Sequence, residues 1–205
     1  MVDGNLQTAL QRLLGLFRLQ PHRELPMMPL GMRRVIVASD AAQDEPRQGS
    51  AGALLVDGDG NRCAYVMKVA PQLFDLWSSD EAKIAQLELM IVLMTIAHAT
   101  NHFRGLPGLW WIDNIAALMA VVRGRSNNSE LDQMAGAIHA ILYSAKCPMF
   151  FEWVHSPDNW SDGISRRGTS DEWYQTHGFS VSSFDPCLLL LQLPYLLVIE
   201  IFVYL

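Results

Sequence analysis

Leu109-Trp110-Trp111-Ile112-Asp113-Asn114 is the stretch whose reading decides the fold. Four bulky apolar residues run straight into an acid, and Gly105-Leu106-Pro107-Gly108 precedes them. A short apolar run bounded by turn residues reads as a strand buried on both faces. Apolar residues resume at once in Ile115-Ala116-Ala117-Leu118-Met119-Ala120-Val121-Val122, which predicts a helix. Strand then helix makes a βα unit, and in sheets built from such units ligand chemistry sits at the carboxyl end of the strand. Asp113 stands at that end.

Upstream, Arg33-Arg34-Val35-Ile36-Val37-Ala38-Ser39-Asp40 is a second apolar strand closing on an acid. Gly52-Ala53-Leu54-Leu55-Val56 and Arg62-Cys63-Ala64-Tyr65-Val66-Met67-Lys68-Val69 follow as two more strands. The joining Asp57-Gly58-Asp59-Gly60-Asn61 is hairpin-turn chemistry, so these first three strands form an antiparallel meander. Ser78 and Glu81 have capping-box spacing and open a long helix running to about residue 101. Its stripe Ile84, Leu87, Ile91 and Met94 is widened by Leu89, Met90 and Leu93, which predicts a mostly buried helix.

Downstream, Leu131, Met134, Ile138 and Leu142 mark one face of a helix over 129–144, and Met149-Phe150-Phe151-Glu152-Trp153-Val154 is a fifth strand. A last helix is expected to start between Ser156 and Asn159, with Pro157 in its first turn. The order β-β-β-α-β-α-α-β-α predicts an α/β domain with a mixed five-stranded sheet flanked by helices. Residues 1–32, an amphipathic helix over 5–19 followed by a Pro-rich linker, precede that domain (33–178), and 179–205 form a hydrophobic tail.

Half of the 205 residues are hydrophobic and 18% are charged, which supports a sizeable core and excludes global disorder. A net charge of −6 gives no general electrostatic footprint for nucleic acid, so any such binding must use local basic patches. Three scattered cysteines, Cys63, Cys147 and Cys187, form no zinc motif and fit a reducing, intracellular compartment, cytoplasmic or nuclear. The amino terminus lacks the layout of a signal peptide. Gln192, Pro194 and Glu200 interrupt the apolar run over 188–205, which argues against a membrane span.

Asp40 and Asp113 lie side by side if their strands are parallel neighbours. Glu88 follows Ile84 by four residues and precedes Ile91 by three, so it shares the buried stripe of its helix. A buried carboxylate is normally paired, protonated or bound to metal, and Lys83 is the one cation nearby on that helix. Asp162 falls in the first turn of the last helix. Converging, four carboxylates would repel unless divalent cations neutralised them, and hard oxygen ligands favour Mg²⁺ or Mn²⁺. Two such ions about 3.5–4 Å apart are the usual apparatus of phosphodiester cleavage.

Ser39-Asp40-Ala41, Gln86-Leu87-Glu88, Ile112-Asp113-Asn114-Ile115-Ala116-Ala117-Leu118 and Asn159-Trp160-Ser161-Asp162-Gly163-Ile164-Ser165-Arg166, in this order, resemble the ribonuclease H domain of retroelement reverse transcriptases. Motifs and element order together cover about residues 33–178. The resemblance implies a ribonuclease H-like fold and hydrolysis of the RNA strand of an RNA/DNA hybrid with two ions, Mg²⁺ or Mn²⁺. It assigns Asp40 to both metals, Glu88 and Asp113 to one, and Asp162 to the other. His155 matches a mobile histidine that serves proton traffic or product release. It further implies a polymerase domain in a parent polyprotein, of which 1–32 is the trailing edge. Ala42 occupies the place where a proofreading exonuclease carries its second acid.

Hybrid binding must draw on few basic residues, because phosphate contacts supply most nucleic-acid affinity. Arg123 and Arg125, flanking Gly124, form a candidate phosphate-gripping loop, and Arg166 is a third contact. Trp110 and Trp111 read as core. His98, His102, His139 and His177 lack ligand spacing. The competing expectation is a degenerate module that keeps the fold but only binds nucleic acid or supports a polymerase domain.

Overall fold

The computed structural model describes residues 14, 33–45, 47–69, 71–75, 77 and 83–183. The linker, the Ser78–Glu81 capping box, the apolar tail over 188–205 and, apart from Leu14, the amphipathic helix over 5–19 lie outside the described residues.

The meander forms as its turn chemistry predicts. Strand β1 (Val35–Glu45) pairs antiparallel with β2 (Gln48–Val56), and β2 with β3 (Arg62–Val69). Asp57 holds the β2–β3 turn: its Oδ1 accepts the amides of Asp59 and Asn61, both at 2.9 Å. A short helix, α1 (Pro71–Asp75), follows, then the long α2 (Ile84–His98) and the single turn α3 (Thr100–Phe103). Strand β4 (Gly108–Ile112) then enters beside β1 in parallel, with Val35 opposite Gly108 and Ser39 opposite Ile112. Helices α4 (Ile115–Arg123) and α5 (Ser129–Ser144) lead to β5 (Met149–Trp153), parallel to β4. Asn114 caps α4 by accepting the Ala117 amide at 3.1 Å, and Asn128 caps α5 through the Leu131 amide at 2.9 Å.

Three elements depart from the sequence reading. β1 does not end at Asp40 but continues to Glu45, because Ala42 and Glu45 find partners in Ser50 and Gln48 of β2. The expected start of the last helix is a 3₁₀ turn (Ser156–Asp158) containing Pro157, and α6 (Asp162–Arg167) begins only after Asn159 has turned its side chain inward. The sheet has six strands rather than five, since after α7 (Glu172–Thr176) the strand β6 (Ser180–Ser183) pairs in parallel with β3. The spatial order is β5-β4-β1-β2-β3-β6. No described helix is long and apolar enough to cross a membrane.

Alternation along the strands sends side chains to two unequal cores. Val35, Val37, Leu55, Met67, Trp110 and Ile112 face the layer of α2, α4 and α5. Every residue of α2 from Gln86 to Ile96 is buried, as its all-round apolar pattern requires. On the other face Leu54 and Ala64 meet Ile164 of α6 and Tyr174 of α7. The two tryptophans of β4 divide accordingly. Trp110 is fully buried, stacks on Phe103 with centroids 6.0 Å apart and donates to Ser39 Oγ at 2.9 Å. Trp111, read as core, is only half-buried and meets Trp160 edge-on at 4.8 Å.

Gly52 sits opposite Asp40 in the β1–β2 register. A Cβ there would lie 2.6 Å from Ile164 Cγ2 and 3.0 Å from the Ser165 amide nitrogen, so its absence lets α6 settle onto β2. Gly52→Ala is expected to destabilise the fold by about 1–3 kcal/mol through overpacking. Urea unfolding measures this, and an unchanged midpoint would show that α6 does not depend on the close approach.

Candidate active site

The site forms where β4 stops and β1 goes on. The last parallel pair is Ser39 opposite Ile112, so the next residues on the two strands are Asp40 and Asp113. With β4 ended, Glu88 of α2 supplies the acceptor for the β1 backbone: the Ala41 amide donates to Glu88 Oε1 at 3.1 Å. Asp40, Glu88 and Asp113 each present one carboxylate oxygen, and these three atoms lie within 4.8 Å of one another. They line an open cleft with Ala41, Asn114, Ser156 and Arg166.

Asp40 is 3% exposed and Glu88 2%, while Asp113 is half-buried. Burial raises the Asp40 carboxyl from its ordinary 3.8 to about 6; the Ser165 hydrogen bond and Arg166 oppose the rise, and Asp113 and Asp162 add to it. Glu88 is pushed well above the usual carboxylate range by burial first and then by Asp40 and Asp113. Its Oε2 is fully buried and has no hydrogen-bond partner among the described residues. A buried acceptor left open costs free energy unless something unseen by the chain satisfies it. Three clustered carboxylates, one of them with such an oxygen, are the donor set of a hard divalent cation. The residues fit a metal.

The segment after β5 holds the other side. Asn159 is buried; its Nδ2 donates to the Ser39 carbonyl at 2.9 Å, and its Oδ1 accepts the Ser161 hydroxyl at 2.7 Å. The Ser165 hydroxyl lies between the Asp40 carboxylate, to which it hydrogen-bonds, and the Asp162 carbonyl at 2.9 Å. Both residues belong to the quoted motif. Their roles as struts were not legible from it, because spacing does not tell which backbone group a short polar side chain meets.

Asp162 opens α6 close enough to Asp40 to raise its proton affinity, yet it is not one of the three clustered carboxylates. Its Oδ1 instead accepts from Arg166 Nε at 2.9 Å, one helical turn on. Arg166 thus faces the acids within the chain. His155 is exposed beside Ser156, its ring 5.9 Å from that of Trp153. Arg123 closes α4 and is exposed, as is Arg125 beyond the left-handed Gly124, and neither lines the cleft. Of the remaining histidines, His102 pairs with Asp57 at 2.8 Å, His139 contacts the Val121 carbonyl, and His98 and His177 meet Ser182 and the Trp173 carbonyl.

No family model matches the chain, and no curated protein matches it. Among solved structures it is similar to ribonuclease H1 from the halophilic archaeon Halobacterium salinarum, at 16% identity and a TM-score of 0.53, covering 67% of this chain and 98% of that one. The fold is ribonuclease H-like. The N-terminal ribonuclease H domain of a Mycobacterium tuberculosis protein matches at 12% identity and a TM-score of 0.48, covering 71% and 99%. The prototype foamy virus protease-reverse transcriptase matches at 13% and 0.40, covering 80% of this chain and 22% of that one. In the ribonuclease H-like sheet of this chain, the three-carboxylate cluster lies where the central parallel pair ends.

Proposed function

We propose that this chain is a metal-dependent endoribonuclease that cuts the RNA strand of RNA/DNA hybrids, and that it works as a domain of a retroelement reverse transcriptase beside a polymerase domain. One observation carries the reading: in a ribonuclease H-like fold, Asp40, Glu88 and Asp113 bring three carboxylate oxygens within 4.8 Å of one another, and Glu88 keeps a buried oxygen with no partner among the described residues. The resemblance of the ordered motifs to retroelement domains supports the reverse transcriptase context.

Asp40, Glu88 and Asp113 would hold one divalent ion, Mg²⁺ or Mn²⁺, and Asp40 with Asp162 would hold a second. When bound, such ions supply an activated water and neutralise charge developing at the phosphorus. The chain's own groups supply the positioning. Ser165 fixes one oxygen of the Asp40 carboxylate, and the Ala41 amide fixes Oε1 of Glu88. Both acids are therefore aimed before any ligand arrives, which removes reorganisation from the reaction. Trp153 Nε1 donates to the Asp113 carbonyl at 3.1 Å and anchors the end of β4. Arg123 and Arg125 contact phosphates of the hybrid, and His155, on the exposed loop before α6 and next to the cleft-lining Ser156, serves proton traffic or product release.

The test is a gel assay with a labelled hybrid, Mg²⁺ or Mn²⁺, and double-stranded DNA as control. Cleavage of the RNA strand alone, abolished by chelator, is the expected result. The degenerate-module reading draws support from Asp162 being engaged by Arg166. A folded chain that binds the hybrid but cuts it under no metal would favour that module.

A further inference from the structure

Arg166 does two things at once: it lines the acidic cleft, and its Nε holds Asp162 Oδ1 at 2.9 Å. Asp162, as placed above, is the carboxylate on which the second ion of the proposed function depends. A guanidinium occupies it instead. We propose that Arg166 is a built-in competitor cation, which Asp162 releases when a divalent ion takes its carboxylate, and which then turns to a substrate phosphate. This inference rests on the proposed metal-dependent function and adds the residue that couples metal occupancy to substrate binding.

The physical case runs through charge and exposure. A bare carboxylate at the amino end of α6 would add a further negative charge beside the clustered Asp40, Glu88 and Asp113. Arg166 offsets that charge from one turn along the same helix. The pair is solvent-exposed, with side chains 52% and 40% accessible. An exposed i,i+4 ion pair is weak, so a doubly charged ion can displace it at modest concentration. Arginine never loses its charge under ordinary conditions, and its planar fork matches a phosphate as well as a carboxylate. Release of Arg166 therefore places a phosphate-seeking group on the rim of the cleft at the moment the acids are neutralised. Metal and hybrid then favour each other's binding through one side chain.

The experiment titrates Mn²⁺ or Ca²⁺ into the full chain without nucleic acid, by calorimetry, comparing wild type with Arg166→Gln, Asp162→Asn and the double variant. Gln keeps length and helix propensity at an exposed position, and circular dichroism checks the fold. Arg166→Gln should tighten the weaker ion by about two- to five-fold, the worth of an exposed ion pair. In the Asp162→Asn background the same change should have no effect. Hybrid affinity, measured in Ca²⁺ against chelator, should rise with the ion in wild type and rise less in Arg166→Gln. Equal or weaker ion binding by Arg166→Gln, or an undiminished rise in hybrid affinity, would overturn the competitor role while leaving the metal site standing. Absence of any ion binding by wild type would overturn both this role and the proposed metal-dependent function.

Discussion

Asp113→Asn is expected to lower hybrid cleavage by at least about 100-fold while the protein stays folded. Loss of groups that merely orient a metal's ligands typically costs about 10–100-fold, and Asp113 is proposed as a ligand itself. The amide keeps the size of the carboxylate but removes the negative charge that hard divalent ions require. The fold survives because the hydrogen bond that anchors this position runs from Trp153 to the Asp113 main-chain carbonyl. The variant has a second signature. Asp113 contributes to the raised proton affinity of both Asp40 and Glu88, so removing its charge relieves repulsion in the metal-free protein. In chelator at neutral pH the thermal midpoint should therefore rise, and hybrid binding should be retained or improved. Cleavage equal to wild type would sink the assignment of Asp113 to the reaction.

Without divalent ions, the protein should become less stable as pH rises from about 4 to about 6. The Asp40 carboxyl titrates near 6 when folded, against an ordinary 3.8, so in this window the folded state binds more protons than the unfolded one. Stability then falls with rising pH, on the order of 3 kcal/mol from Asp40 alone. For a chain of this size that corresponds to roughly 6–12 °C in thermal midpoint. Glu88 acts in the same direction, because its carboxyl is also raised in the fold. Asp57 has the opposite sign. Burial pushes its carboxyl up, but hydrogen bonds from Asn61, His102 and neighbouring amides outweigh this and hold it at about 2. Its contribution is lost only as pH drops below about 4, outside the window. Mn²⁺ or Mg²⁺ added at pH 7 should restore the lost stability, because an ion that binds only the folded state adds to it by mass action. Differential scanning calorimetry at pH 4.5 and pH 7, in chelator and then with metal, measures both effects. A midpoint that rises steadily with pH in chelator would show that the cluster carries no such strain.

The sheet centre and three of the four acids were legible because each rested on a strong local pattern. The run Leu109 to Ile112 between turn residues marks β4, and Asp57-Gly58-Asp59-Gly60-Asn61 marks the hairpin by side-chain chemistry that the structure uses directly. Glu88 stood out as an acid in an apolar stripe. What was not legible depended on partners distant in sequence. Residues 41–45 are polar or small, and they continue β1 only because β2 offers a ladder. Ser180–Ser183 has no apolar alternation and becomes β6 by adding to the β3 edge. Pro157 does start a turn, but Asn159 bonds inward to Ser39 and delays α6 until Asp162. For Asp162 the sequence supplied the helix and the position. It could not supply the direction of the side chain, which meets Arg166 one turn away.

Asn159 and Ser165 tie one stretch of chain to successive residues of β1: Asn159 to the Ser39 carbonyl, Ser165 to the Asp40 carboxylate. The spacing between the two struts is thereby set to the residue. An insertion or deletion within 160–164 would put one strut out of reach of its strand partner. Residues 155–158 are exposed, and the 3₁₀ turn they contain is held by its own backbone. This loop can change length without disturbing either strut. The ribonuclease H-like core therefore has a point of growth directly beside its acidic cleft, and insertion tolerance along this segment should change abruptly at Asn159. A library of one-residue insertions across 155–165, selected for folded protein, would map that step.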